Sequence, residues 1–547
     1  MSTNDIPVQQ APFPTAPKPP KTVYTLDGRD RIFSAVLLAC TLFCVIAGLW
    51  GGCQAGFTVS FLPLFTVCSI YLGRRNARPG VYAGVCGVLA VCLTPVFLCT
   101  SGSFIRFLAM CLLAVLSVIW FSSLAGKRIF PGELGLVQRL ARQIGRMFVR
   151  MPCSVSALFK SDDPRTKRVM KALLGAACAV PLLGVVTVLL IRSDAAFEGL
   201  MQHMFADVGQ TFAQIVVALI VFPFLLAFGF STRKDADTQP KPSVFKGLDT
   251  LFIAAFLSVP AICYLVYLFS QLAYFFSAFS GILPEGYAFS YAEYARRGFF
   301  ELCRIAGINL CMLYAMLLLS KKMQEKLPVM LRALATFIDL FTLLLISTAA
   351  AKMILYIRQY GVTLKRLGTS AFMLFMAVVF LTLLLRLYLP KVRVLPVAVV
   401  TAAIIVAVLG IGNIYSFAAW YNYTAYENGT LPSVDTAYLQ YLGDEGIPYL
   451  VKLTQCKDPG TRTQAYVQLC DAVASRYFGE YEFVDEKAQE ETYFVPSEKI
   501  CGKLTQTSIP RRRAYAALDA LLAENPDFLR EYENVERAYV DASDIWF

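Results

Sequence analysis

The chain has 547 residues, 57% of them hydrophobic and 16% charged, with a mean hydropathy of +0.57. Soluble globular chains carry about a quarter charged residues, so this balance excludes an ordinary water-soluble protein and describes one embedded in lipid. The formal net charge of +12 is unevenly placed: residues 420–547 hold 21 acidic and 12 basic side chains, leaving 38 basic and 17 acidic for residues 1–419. A basic membrane part follows from the collection of Lys and Arg in cytoplasmic loops and requires no nucleic acid as partner.

Residues 1–30 include Pro12, Pro14, Pro17, Pro19 and Pro20 among few apolar residues, the composition of a disordered cytoplasmic arm. A helix needs about 20 mostly apolar residues to cross the hydrocarbon while satisfying its own backbone hydrogen bonds. Eleven stretches qualify, approximately 32–50, 57–72, 81–99, 107–124, 172–191, 213–230, 250–270, 299–320, 333–351, 371–389 and 395–419. The predicted fold is therefore all-α: about eleven transmembrane helices within residues 31–419, followed by a C-terminal soluble helical domain over 420–547.

Basic clusters alternate with the spans. Arg74, Arg75 and Arg78, eleven basic residues from Lys127 to Lys171, Arg233 and Lys234, Lys321 and Lys322, then Lys391 and Arg393 all fall on one side. By the positive-inside rule the N-terminus is cytoplasmic and, after eleven crossings, the tail lies outside. Lys352, Arg358, Lys365 and Arg366 break the rule between the ninth and tenth spans. Either a segment there is miscounted or re-entrant, or the outer side carries a basic site for an anionic group.

Between the fourth and fifth spans, about 134–151, apolar Leu136, Val137, Leu140, Ile144, Met147, Phe148 and Met151 recur at helical spacing. Arg139, Arg142, Arg146 and Arg150 fill the other face, and Pro152 ends the pattern. Such an amphipathic helix is expected in the inner interface, its arginines on anionic membrane lipid at about 1 kcal/mol each; the plainer reading is an intracellular packing helix. Beyond Trp420 the tail reads as amphipathic helices broken by Pro459-Gly460, Pro496 and Asn525-Pro526. Nothing in it names its protein partner. Asn422-Tyr423-Thr424 and Asn428-Gly429-Thr430 match glycosylation acceptors, a pattern common by chance.

Catalytic and metal templates fit poorly. The chain has one histidine, His203, no glycine-rich phosphate loop and no nucleophile elbow. The sixteen cysteines lack the paired short spacing of a zinc or iron–sulfur site, and Cys456, Cys470 and Cys501 in the tail are an odd number. Glu198, His203 and Asp207 lie close together after the fifth span; an interfacial helix explains them more simply than a metal site. No cofactor is expected.

The polar residues that stand out are in two places. Arg297 and Glu301, one turn apart at the start of the eighth span, can pair, with Arg304 and Asn309 continuing into apolar sequence. Tyr356, Arg358, Tyr360, Gly361, Thr363 and Arg366 occupy the charge-violating loop, and Asp339 lies about 10 Å inside the ninth span. An ion pair or structural hydrogen bond accounts for any of them singly; proton or substrate passage is the functional alternative.

Three segments carry a resemblance: Ser193-Asp194-Ala195-Ala196-Phe197, Tyr294-Ala295-Arg296-Arg297-Gly298-Phe299-Phe300-Glu301, and Tyr360-Gly361-Val362-Thr363-Leu364-Lys365-Arg366. Over roughly residues 170–450 the sequence resembles a bacterial, mainly Firmicute, group of multi-spanning membrane proteins defined only by a domain of unknown function. Val362 stands where relatives more often have Leu. The resemblance implies a location in the bacterial cytoplasmic membrane and carries no activity with it.

Three functions remain open. The first is a non-enzymatic transporter or sensor of the cell envelope, whose outward-facing basic cavity, lined by Arg297, Glu301, Arg304, Asp339, Arg358, Tyr360, Thr363 and Arg366, takes an anionic or lipid-linked ligand. The second is a membrane-embedded transferase using Glu301 or Asp339 as general base on a lipid-linked donor. The third is a structural scaffold presenting the outer helical domain.

Overall fold

A chain that crosses hydrocarbon must satisfy its backbone polar groups internally, and long helices dominate this structure. The computed structural model describes residues 24–50, 54–73, 79–128, 134–159, 195–236, 247–280, 299–320, 327–477 and 507–525, with isolated positions between 168 and 186, and the backbone alone at 195–210, 271–280, 299–301 and 471–477. Among these residues there is no strand, only an isolated bridge between Leu248 and Ser320.

The membrane part comprises α1 (Gly28–Phe43, continued by a π-turn over Cys44–Leu49), α2 (Ala55–Leu72), α3 (Val81–Leu93), α4 (Val96–Cys99), α5 (Ser103–Leu124), α6 (Gly135–Leu158), α7 (Ala195–Lys234), α8 (Thr250–Ser280), α9 (Phe299–Leu319), α10 (Val329–Tyr360), α11 (Leu364–Tyr388) and α12 (Val394–Ile411). Ten helical segments among the described residues are long and apolar enough to cross a bilayer, α3 and α4 together making one of them. They coincide with ten of the eleven expected stretches; the remaining one, 172–191, lies outside the described residues but for isolated positions. The last span is shorter than expected. It ends at Ile411, because Asn413 adopts a left-handed backbone (φ 47°) and starts a new helix.

Two apolar cores build the bundle. One, around Phe33, Leu37, Phe97, Leu113, Leu116 and Phe230, joins α1–α7 to α12; the other, around Leu257, Leu313, Ile338, Phe380 and Leu383, joins α8–α11.

At the end of the bundle where α1 begins, charged groups are tied together. Tyr24, inside the arm expected to be disordered, is buried and donates to Asp235 Oδ1 (2.7 Å), and the helix already starts at Gly28. The rest of that arm, 1–23, lies outside the described residues. Asp30 accepts from Tyr71 Oη (2.8 Å) and pairs with Lys234, while Arg233 donates to the Tyr71 carbonyl (2.8 Å).

The helix α6 packs along α7 and uses its arginines there. Buried Arg139 donates to the carbonyl of Arg128, Arg146 to that of Ala236 (3.0 Å), and Arg150 pairs with Asp235 (3.0 Å); Arg142 is half-exposed. Val137, Ile144, Phe148 and Val149 are its exposed large apolar side chains. Pro152, expected to end this helix, lies inside it. Proline removes one backbone donor, and the turn beyond it is held by burial of Ser154 and Ala157.

The C-terminal region is helical: α13 (Ile414–Glu427), α14 (Thr436–Tyr441), α15 (Ile447–Leu453), α16 (Pro459–Tyr477) and α17 (Ile509–Glu524). Its core of Leu439, Leu450, Leu453, Leu469 and Leu518 is continuous with Val362, Leu364 and Leu367 of the membrane part. The region thus sits on the bundle end opposite the Asp30–Lys234 pair.

Candidate functional site

Three polar features distinguish the described residues, two where the C-terminal region meets the bundle and one at mid-depth. The first is the turn between α10 and α11. Gly361 has φ +73°, a conformation that favours glycine, and a side chain there would meet Asn422 Oδ1 at 2.6 Å. Asn422 Oδ1 accepts from Val362 N–H (2.8 Å) and its Nδ2 donates to the Val362 carbonyl (2.7 Å). Tyr438 Oη accepts from Leu364 N–H (2.7 Å), and Thr363 Oγ1 caps α11 by accepting from Arg366 N–H (3.3 Å). Arg366 reaches back to the carbonyls of Tyr360 (2.8 Å) and Gly361 (2.6 Å), its guanidinium 4.1 Å from the centroid of the Tyr356 ring. A cation at the C-terminus of α10 satisfies carbonyls that the helix leaves open and complements its dipole.

A second latch holds Glu445. Its Oε1 accepts from Ser101 N–H (2.9 Å) and Asn413 Nδ2 (3.3 Å), and its Oε2 from Ser101 Oγ. Asn413 also donates to the Cys99 carbonyl (2.9 Å). Burial pushes the Glu445 carboxyl above its ordinary range, against the lowering effect of the Ser101 hydrogen bonds.

Beside this latch is a cavity of about 430 Å³ between α1, α2, α4 and α17. Phe43, Ala47, Val59 and Leu98 form an apolar wall, and Thr507, Ser508 and Arg512 a polar rim. The Ala55 N–H donates to the Thr507 carbonyl (3.3 Å), Arg512 Nε to Thr507 Oγ1 (3.1 Å), and Ser508 caps α17. Arg511, Arg512 and Arg513 are the third to fifth residues of α17, near the positive end of its dipole, where cations are disfavoured and anions favoured.

The third feature lies inside the second core. Tyr264 Oη on α8 donates to Asn309 Oδ1 on α9 (2.7 Å), Asn309 Nδ2 to Thr342 Oγ1 on α10 (2.8 Å), and Thr342 in turn to the Ile338 carbonyl (2.7 Å). Asn309, Thr342 and Asp339 are all 0% exposed. Among the described residues, neither carboxylate oxygen of Asp339 has a hydrogen-bond partner.

The sequence model of a family described as Domain of unknown function (DUF4153) matches residues 83–453. The chain belongs to this family. No curated protein and no solved structure matches it. The DUF4153 stretch contains both latches and the mid-depth cluster; of the cavity wall and rim it contains Leu98 alone.

Within this DUF4153 protein the expected ligand set does not converge on one place. Asp339 is separated from Arg358 by about 28 Å of helix, at 1.5 Å per residue. Arg358 and Tyr360 are exposed at the end of α10, where Thr363 and Arg366 shape the turn, and Arg304 is exposed on α9. Arg297, and the side chains of Glu301, Glu198, His203 and Asp207, lie outside what is described. Asn422, one of the glycosylation matches, is buried with its amide fully engaged, which leaves no room for a glycan. Sequence reasoning passed over Ser101, Asn413 and Glu445, because Ser101 and Cys99 lie over 300 residues from their partners Glu445 and Asn413. The cavity had a signal in the three arginines that follow Ser508-Ile509-Pro510.

Proposed function

We propose that this chain is a non-enzymatic transporter or sensor of the bacterial cytoplasmic membrane that binds an anionic, lipid-linked ligand in the cavity beneath α17. The supporting observation is the cavity itself, whose about 430 Å³ falls in the range of roughly 300–1,000 Å³ usual for ligand sites. Its wall comes from apolar side chains of spanning helices. Phe43 and Val59 are partly exposed, so acyl chains can continue from the bilayer along α1 and α2. Its rim brings a capped helix N-terminus and the basic side chain of Arg512 to where a phosphate would sit, with Arg513 next to it in sequence. The basic loops favour a cytoplasmic N-terminus and, with it, an outer-leaflet position for this cavity. At the other end of the bundle, the exposed Val137, Ile144 and Phe148 and the half-exposed Arg142 favour contact of α6 with anionic inner-leaflet lipid.

The test is retention of phosphatidylglycerol by the purified chain, read by native mass spectrometry. The native chain is expected to keep one such lipid more firmly than diacylglycerol. Arg512→Ala with Arg513→Ala should weaken retention on the order of thirtyfold, at about 1 kcal/mol per basic side chain. Equal retention of both lipids, or no effect of the double substitution, overturns the reading. Orientation is tested by an impermeant maleimide on whole cells carrying Tyr441→Cys, a position 74% exposed on α14; labelling only after lysis would reverse it.

The two latches favour a second reading, in which the bundle is a scaffold for the C-terminal region. The transferase reading draws nothing from Asp339, which is sealed away from any open cleft.

A further inference from the structure

We propose that Asp339 is an exchangeable proton-binding site at the mid-depth of the α8–α11 core, bordered by the Tyr264–Asn309–Thr342 hydrogen-bond chain. Asp339 is the eleventh residue of α10 and stands one turn from Thr342, which bonds Asn309, the middle residue of the 21-residue span α9, whose length of about 31 Å matches a hydrocarbon layer of about 30 Å. It is fully buried, and its neighbours Ile338, Leu345, Phe380 and Leu383 belong to an apolar core.

The groups able to titrate or carry charge nearest its level are Tyr264 and Tyr267 on α8, both against Phe341, Tyr314 on α9 and Arg386 on α11; Cys303 and Arg304 lie further along, where α9 packs on Ile346 and Ala349. Among the described residues none of them donates to Asp339 or pairs with it. Tyr264 is committed to Asn309, and Arg304 is exposed. Surroundings of this kind solvate a neutral acid group far better than an anion, and an uncompensated carboxylate in hydrocarbon is costly.

A carboxyl placed for structure alone would be expected to accept from a neighbour, as Asp30 does from Tyr71 and Glu445 from Ser101. Asp339 instead stands one turn from Thr342, where a chain of hydroxyl and amide groups joins three helices. Opening α10 against α9 would let water reach the carboxyl and take its proton as hydronium; closure requires the proton back. The bundle thereby acquires two forms that differ by one bound proton. This inference goes beyond the lipid cavity and does not depend on it.

The experiment uses the full chain in lipid nanodiscs with dicyclohexylcarbodiimide, a lipid-soluble reagent that modifies protonated carboxyl groups in membranes. Peptide mass spectrometry should find the adduct on Asp339, with a yield that falls as pH rises. The infrared carbonyl band of a protonated acid should be present at neutral pH, shift when the sample is exchanged into deuterated water, and be missing in Asp339→Asn. Absence of both adduct and band overturns the proposal. A band that never shifts in deuterated water also overturns it, because a sealed acid does not exchange. The labelling arm needs no variant, so misfolding of Asp339→Asn would not hide the answer. Lipid retention is read separately through Arg512, so either idea can fail alone.

Discussion

Asn422 holds the peptide of Val362 by both its polar groups, accepting from the N–H at 2.8 Å and donating to the carbonyl at 2.7 Å. One side chain of the C-terminal region therefore completes a turn of the membrane part, and the two cannot separate without leaving a buried donor and acceptor unpaired. Each such group costs about 1–3 kcal/mol. Asn422→Ala is expected to loosen the region, seen as faster amide exchange in α13–α15 while α8–α11 stay protected. Unchanged exchange in α13–α15 would mean that the turn holds itself.

Gly361 supports the same contact by its left-handed backbone. Gly361→Ala places a methyl group 2.6 Å from Asn422 Oδ1 and adds strain of about 1–3 kcal/mol, because positive φ with ψ −170° is open essentially to glycine alone. Its effect on thermal stability should be largely shared with Asn422→Ala, so the double variant should lose less than the sum of the two.

Arg366 is expected to behave as a structural cap. Arg366→Ala removes donors to two carbonyls and a contact with the Tyr356 ring, for a loss of about 1–3 kcal/mol, while Arg366→Lys keeps the charge without the planar fork and should fall between. Calorimetric melting of the three proteins checks the order. If Arg366→Ala melts with the native protein, the side chain is available for another role.

Glu445 makes docking of the C-terminal region sensitive to pH. Burial raises its carboxyl above the ordinary range, so the unfolded chain gives up this proton at lower pH than the folded one. The contribution of this group to stability is fully present below the unfolded value and is lost as pH rises through the folded value. Amide protection across Gly443–Glu445 and α15, corrected for the intrinsic pH dependence of exchange, should accordingly be greatest in acid and fall as pH rises through the folded value. Glu445→Gln, which stays neutral, should flatten that dependence; a pH profile identical to the native one would assign the effect elsewhere.

At the opposite end, Arg150 pairs with Asp235, which is 6% exposed and also accepts from Tyr24. Arg150→Ala should destabilise by about 1–3 kcal/mol because Asp235 keeps its burial and loses its cation, and Tyr24→Phe should add to that loss only in part. A double-mutant cycle on melting temperature measures the coupling, and strict additivity would show that the three groups act independently.

Helical class and the position of ten spans were readable along the chain because hydrocarbon imposes a local rule: about 20 apolar residues, with backbone bonds closed within each helix. Ten stretches obey it in the structure at nearly the expected bounds, and Asp339 stood out early because a carboxyl in such a run violates the same rule. The end of the last span was not readable, since its break depends on Asn413 bonding to Cys99 and Glu445, far away in sequence. Charge pattern likewise suggested arginines for lipid or ligand. Three-dimensional packing instead gives Arg366 to helix carbonyls and Arg139, Arg146 and Arg150 acceptors beside α6 and α7, because a guanidinium with five donors takes whatever acceptors the fold brings within reach. Local hydrophobicity fixes where a chain enters lipid; which polar groups meet across the ends of its helices is a property of the assembled bundle.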